Sequence, residues 1–261
     1  MLKVSQPFVG KGFASHWNQV SRETFPIGRL TNNTLLLALP SIDFARLLPH
    51  LQMVSFNSGE DIYQPDGTSE FLYFPETAVF SQLNILADGR TVETAMIGYE
   101  GIAGLSTILS FQPKTFWTQT LIAGIALRIN AKNFKPEFGR GGFLQAVLLD
   151  YINLYVAHIS QRAICNIHHR IEERFCSWLL MLDDRNRKSR LILTQEQIAY
   201  FLGVHRPTLT LIAQDLRNNG IIDYIRGRIF ILNRQKLEQS ACECYSLTKK
   251  NLAYLSYNQT D

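Results

Sequence analysis

Between residues 194 and 232 the chain reads TQEQIAYFLGVHRPTLTLIAQDLRNNGIIDYIRGRIFIL, and the polar side chains of this segment suit contact with a nucleic-acid duplex. Arg206 carries a planar guanidinium able to hold guanine O6 and N7 together. His205, Thr208 and Thr210 lie within four residues of it and can reach bases or phosphates, while Leu211 offers only an apolar surface for a thymine methyl. Thr194 and Gln195, at the start of the segment, join the same candidate set. Arg226 and Arg228 flank Gly227 and suit phosphates, contacts that position a protein on a duplex without reading its sequence.

A second group of reactive side chains lies just upstream. Cys165, His168, His169 and Cys176 are metal-ligand types, and on a helix residues 165, 168 and 169 share a side. Cys176 falls two turns further on, and the spacing matches no familiar site. Packing near a domain junction is the expectation, with no metal. Cys242-x-Cys244 is open to reading as a redox pair or metal handle; a structural or incidental role is expected for it. The four cysteines all lie beyond residue 164, too few and too clustered for a disulfide framework in 261 residues, so reduced thiols are expected.

These groups need elements to hold them. Thr194 followed by Gln197 is a capping-box signal for a helix that carries Ile198, Ala199 and Leu202 on one face and stops at Gly203. Arg206 precedes Pro207 and is pushed out of the helical region, which places it at or near the cap of a second helix. Leu209, Ile212, Ala213 and Leu216 form that helix's buried face. Asn219-Gly220 closes it, and YIRGRIFIL reads as a hairpin turning at Gly227. Two short helices and a basic hairpin make a winged helix-turn-helix.

Upstream, residues 1–30 show little periodicity and read as an arm. LLLALP and FARLLPHL are short helical pieces, closed by Pro40 and Pro49. From 51 to 130 short β-rich runs alternate with turn signals, including Ala87-Asp88-Gly89-Arg90, and imply an antiparallel sandwich or barrel. A helix free of Gly and Pro runs from Phe143 to about Asn166. Leu144, Leu148, Tyr151, Tyr155 and Ile159 form its apolar stripe, which is expected to pair with the same helix of a second copy, the alternative being packing on the chain's own β-domain.

Composition bounds the alternatives. Hydrophobic residues make up 46% and charged residues 18%, ordinary globular usage for a chain whose length suggests two domains. Residues 1–160 carry 11 basic and 12 acidic side chains and 161–261 carry 15 and 10, so the excess positive charge sits where the duplex-contacting residues lie. No apolar stretch long enough for a membrane span and no secretory leader are evident, and a cytoplasmic protein without a membrane partner is expected. No histidine lies between 51 and 157, which removes the ligands a β-domain metal enzyme would use. With no Ser/His/acid or Cys/His constellation at usable spacing, no enzyme is expected.

Taken with YFPETAVFSQL, LADGRTVETAMIGYEGIAGL and CNIHHRIEERFCSWLLMLDDR, the winged segment resembles the Crp/Fnr-type transcription regulators over about residues 35–245. The resemblance implies an α+β fold: an antiparallel β-roll of the cyclic-nucleotide-binding type at 31–140, a dimerisation helix at 141–168, a winged helix-turn-helix at 169–240 and a tail at 241–261. It also implies a homodimer on palindromic double-stranded DNA, RNA polymerase as a further partner, and a small-molecule effector of unknown identity. In this family an Arg-Glu pair and a later Arg read bases, positions that fall on Arg206, Pro207 and Leu211; only the first matches. Effector-pocket positions fall on Glu100, Gly101, Gly104, Leu105, Phe116, Trp117 and Thr118. The acidic ribose acceptor and the phosphate-binding Arg-Ser pair are replaced by Leu105 and by Phe116, Trp117 and Thr118, so cyclic nucleotide is not expected and no cofactor is assigned. The iron–sulfur sensors' N-terminal cysteines are missing as well. The alternative is a β-roll adaptor, binding a ligand or a protein, whose helix-turn-helix no longer reads DNA.

Overall fold

A computed structural model of the chain describes residues 28, 30–64, 70–109, 116–186, 191–225 and 227–257. Most of the arm at 1–30 lies outside these, as does Arg226. Helix α1 (Thr34–Leu37) starts at Asn33, whose side chain accepts from the Leu35 and Leu36 N–H groups, and α2 (Ser41–Leu47) follows Pro40 directly. Seven strands come next: β1 (Gln52–Phe56), β2 (Asp61–Tyr63), β3 (Phe71–Pro75), β4 (Val79–Ile85), β5 (Thr91–Ile97), β6 (Phe116–Ile122) and β7 (Gly124–Asn130). They make two antiparallel sheets, β1-β7-β3 and β2-β6-β4-β5, with β4 and β5 joined through the expected turn at 87–90.

Between the sheets Phe56, Tyr73 and Phe80 pack edge to face at 5.3–5.5 Å for the two pairs involving Phe56, and Tyr63 stands 5.8 Å from Tyr73. Helix α3 (Ala131–Gly139), capped by Asn130, leads through Gly141 into the long helix α4 (Gly142–His168). Then follow α5 (Ile171–Arg185), β8 (Leu191–Ile192), α6 (Gln195–Leu202), α7 (Arg206–Asn218), β9 (Ile222–Ile225), β10 (Arg228–Ile231), α8 (Arg234–Ser240) and α9 (Glu243–Tyr257). The strands of this second part form a sheet in the order β8-β10-β9.

The long helix does not present the stripe expected of it. Leu144 (4% exposed), Leu148 (2%) and Tyr151 (4%) are buried against α1, α2, β3, β7 and α3, and Tyr155 closes on Gln82 of β4 through its hydroxyl. The β-roll of the same chain has taken the face the sequence offers to a partner, because Leu72, Phe74, Leu127 and Ile129 make one face of the β1-β7-β3 sheet apolar and that face has to be buried against another element. At 3.6 residues per turn the opposite side carries Ala146, Leu149, Asn153, Val156, Ser160, Ala163 and Ile167, spaced alternately three and four apart, and all seven are exposed. Apolar residues on two faces give α4 a mean hydropathy of 1.2 over its most apolar 18 residues, long and apolar enough to cross a membrane by composition. One of those faces is already covered by the roll.

The region expected as a tail is also different: α9 lies along α4 and α5. The two halves of the chain share one core, in which Val79, Leu83, Met96 and Leu121 of the roll meet Phe175, Trp178, Leu179 and Leu182 of α5.

Candidate nucleic-acid interface

Helix α6 opens with a full capping box. The Thr194 hydroxyl accepts from the Gln197 N–H at 3.2 Å and the Gln197 Oε1 accepts from the Thr194 N–H at 2.9 Å. Gly203 ends the helix in the left-handed conformation at φ 65°, and a Cβ there would stand 3.1 Å from the Thr91 carbonyl of β5. His205 caps α7 with extended backbone, so Arg206 is the first helical residue and Pro207 sits in the first turn, where its missing N–H costs nothing. Leu209, Ala213 and Leu216 are buried under the helix, joined by the partly buried Ile212.

This anchoring turns the other side of α7 to solvent. His205, Arg206, Pro207, Leu211 and Gln214 are exposed, and Leu211 shows 65% of its surface. Among the described residues Arg206 forms one loose ion pair, with Glu196 at 4.0 Å and both side chains open to water, which leaves the guanidinium available. Thr210 donates to Gln195 Oε1 at 2.8 Å and to the Arg206 carbonyl, joining the two helices across the turn. Thr208 is half-buried beside them. Gln195 and Thr210 therefore support the interface rather than standing free of it, and Thr194 is a cap first. The wing folds as expected, β9 and β10 pairing antiparallel around Gly227 (φ 74°), with Arg228 exposed at the start of β10. A strand that sequence reasoning missed, β8, adds to the edge of β10 and leaves Ile192 66% exposed beside the wing.

The effector-pocket candidates do not converge. Glu100 reaches out of the roll and accepts from the Arg185 Nε at 2.6 Å, an ion pair with α5 that is nearly closed to water. Trp117 donates its indole N–H to Asp61 at 2.7 Å and packs on Tyr200 of α6, 6.5 Å between rings. Thr118 is buried in β6 and Leu105 is partly buried against the α1–α4 core. Gly101 and Gly104 are places of close approach: a Cβ would meet the Tyr151 hydroxyl at 2.2 Å in one case and the Tyr63 hydroxyl at 2.3 Å in the other. The side chain of Phe116 lies outside the described residues.

A further bond across the junction was not legible in the sequence. Glu93 of β5 is buried, accepting from Ser81 at 2.7 Å and from the Trp178 indole of α5 at 2.9 Å, with the Arg162 guanidinium of α4 at 3.9 Å. Burial pushes its carboxyl above the usual range against the pull of Arg162 and of those hydrogen bonds. A cleft of about 320 Å³ opens beside this junction, lined by Tyr99, Glu100, Arg185, Tyr245 and Thr248 among others.

The cysteines take two places. Cys176 is buried in the main core, its thiol held up to about 12 by that burial, and His168 is exposed. Cys165 packs at the junction with Cys242 and Cys244, as expected of contacts there, and His169 stands beside them, so the Cys-x-Cys holds a buried structural place rather than an incidental one. The available signal was a Cys and a His one helical turn apart, paired with a distant Cys-x-Cys.

Residues 173–240 match the Crp-like helix-turn-helix domain family. Among solved structures, the chain is similar to FixK2 from Bradyrhizobium japonicum, with a TM-score of 0.63 at 20% identity, covering 74% of this chain and 98% of that one. It is similar to TTHB099, a CRP family transcriptional regulator from Thermus thermophilus, with a TM-score of 0.59 at 17% identity, covering 72% and 96%. A third likeness is to the c-di-GMP responsive global regulator CLP of Xanthomonas campestris, with a TM-score of 0.57 at 13% identity, covering 74% and 100%. No curated protein matches the sequence. The chain has the Crp/Fnr-type transcription regulator fold: a cyclic-nucleotide-binding-like β-roll, a long helix and a Crp-like helix-turn-helix domain.

Proposed function

We propose that the chain is a sequence-specific DNA-binding transcription regulator that works as a homodimer on a palindromic duplex site. The observation that carries this reading is the N-terminal end of α7, where His205 and Arg206 stand exposed on a helix whose other face is fixed by Leu209, Ala213 and Leu216. Such a helix fits the major groove, with Arg206 reading guanine and Arg228 of the wing on phosphate. The exposed seam of α4, from Ala146 to Ile167, supports the second copy. A two-fold dimer sets two α7 helices into successive major grooves about 34 Å apart.

The β-roll is the sensor in this reading, and its effector is a small molecule other than a cyclic nucleotide. Rings of Phe56, Tyr63, Tyr73 and Phe80 occupy the space between the sheets, and Glu100 is committed to Arg185. A regulator of this kind acts in the cytoplasm, where RNA polymerase is its further partner.

Selection of bound duplexes from a random pool, at near-physiological salt and without added ligand, tests the proposal. Enrichment of a palindrome with half-sites one helical turn apart is expected. Uniform, salt-sensitive binding to every sequence would overturn the sequence-specific role.

A further inference from the structure

Cys165 and His169 lie one turn apart at the end of α4, and Cys242 and Cys244 flank the first residue of α9. One ligand atom from each of the four lies within 4.8 Å of all the others. The Cys165 and Cys242 sulfurs are 3.6 Å apart, and the Cys244 sulfur is 3.5 Å from His169 Nδ1. Tetrahedral zinc with bonds of about 2.3 Å to sulfur and about 2.0–2.1 Å to nitrogen puts two sulfurs about 3.8 Å apart, and sulfur and nitrogen about 3.5 Å. These two edges are those of a single-ion tetrahedron, and the other four lie within 4.8 Å. A cluster of several irons would spread its ligands further.

The surroundings are arranged as a metal site's are. His169 Nε2 lies 3.1 Å from the Glu243 carboxylate, which fixes the tautomer that turns Nδ1 toward the sulfurs. The Gln161 amide donates to the Cys244 sulfur at 3.0 Å, and the Ser177 hydroxyl lies 3.0 Å from the Cys242 sulfur while accepting the Cys242 N–H. Two buried guanidiniums stand close by. Arg162, one turn before Cys165, leaves all three of its nitrogens without a hydrogen bond, and Arg174 leaves Nε so. A buried cation without hydrogen-bond partners is costly. Three thiolates and a neutral imidazole on Zn²⁺ carry one net negative charge, which these arginines offset; the thiol protons leave to solvent as the metal binds.

We propose that Cys165, His169, Cys242 and Cys244 bind one zinc ion that clasps the two ends of the winged helix-turn-helix domain. The matched domain at 173–240 lies wholly between the two ligand pairs, so the metal closes the chain into a loop around it and pins α9 to α4. A clip across so long a loop removes much freedom from the opened state. The proposal stands whether or not the domain reads DNA.

Metal analysis of the full chain, purified under reducing conditions, is expected to give about one zinc per chain. Removal by chelator and refilling with Co²⁺ should give intense tetrahedral d–d bands and a thiolate charge-transfer band. Cys244→Ser and His169→Gln should each lose most of the metal, while Cys176→Ser keeps it. The wild-type chain stripped of metal should be cut by protease near 240 at least tenfold faster, and zinc should restore protection. Absence of zinc together with absence of cobalt bands would overturn the site, and so would a Cys165–Cys242 disulfide in the reduced preparation. Zinc retained in both ligand variants would overturn the ligand set.

Discussion

Arg206 and Arg228 are both exposed cations on the winged domain, and in the proposed reading their positions give them different work. Arg206 sits at the first helical residue of α7, the place from which a docked recognition helix would reach the groove, whereas Arg228 stands on the wing. Arg206→Ala is expected to cost about 1–3 kcal/mol on the selected site and to relax specificity at one base pair. Arg228→Ala should weaken all sequences alike and lower the salt slope by about one. Titrations on selected and random duplexes at several salt concentrations separate the two. His158 of α4 makes a prediction of another kind. Burial, with Arg185 and Arg162 nearby, lowers its pKa from 6.5 to about 3. The folded state therefore keeps His158 neutral while the unfolded chain takes up a proton below pH 6.5, so stability is full above 6.5 and declines as the pH falls toward 3. Melting temperatures between pH 6.5 and about 5, where carboxylates are still charged, should fall in the wild type and fall less in His158→Asn. An NMR titration that showed His158 protonating near pH 6 would refute the assignment.

At the scale of elements, α4 separates two kinds of apolar residue that look alike in the sequence. Leu148 belongs to the roll's core, and Leu148→Ala should cost about 2–5 kcal/mol of stability while leaving the exposed seam proposed for the dimer intact. Val156, 55% exposed at the middle of the seam, contributes little to the monomer's own core. Val156→Glu should give a folded monomer by sedimentation, and a dimer unchanged at micromolar concentration would disprove the seam. The winged helix-turn-helix was legible beforehand because each of its boundaries is set locally, by the Thr194–Gln197 box, by Gly203 and by Gly227. The partner of α4 was not. Periodicity identifies a face and says nothing of what covers it, and α4 carries apolar residues at helical spacing on both sides. The Cys and His cluster was hidden for a similar reason, since its halves are separated by the whole helix-turn-helix domain and only folding joins them.

At the scale of the molecule, the β-roll and the winged domain are held as one unit. Their common core runs from β4 and β5 into α5, and polar contacts reinforce it: Trp178 on Glu93, Arg185 on Glu100, and the Arg174 guanidinium on the Leu202 carbonyl at 2.7 Å. The last of these grips the end of α6, and Tyr200 and Gly203 lie against Trp117 and Thr91. A change in the roll therefore reaches the helix-turn-helix through β5 and β6 as well as through α4, and in the proposed reading this junction is the element an effector has to shift. Unfolding of the wild type should be a single cooperative transition. Arg185→Met leaves the Glu100 carboxylate nearly buried and without its cation, an imbalance worth about 3–5 kcal/mol. Because the loss is confined to the junction, the variant should unfold in two steps by calorimetry, the winged domain first. Restoring balance with Glu100→Met in the same chain should recover a large part of the lost stability, since a buried ion pair and an apolar pair of similar size differ little. If the single and double variants were equally destabilised and both melted in one step, the junction would be packing alone, and the route from roll to recognition helix would have to run through α4.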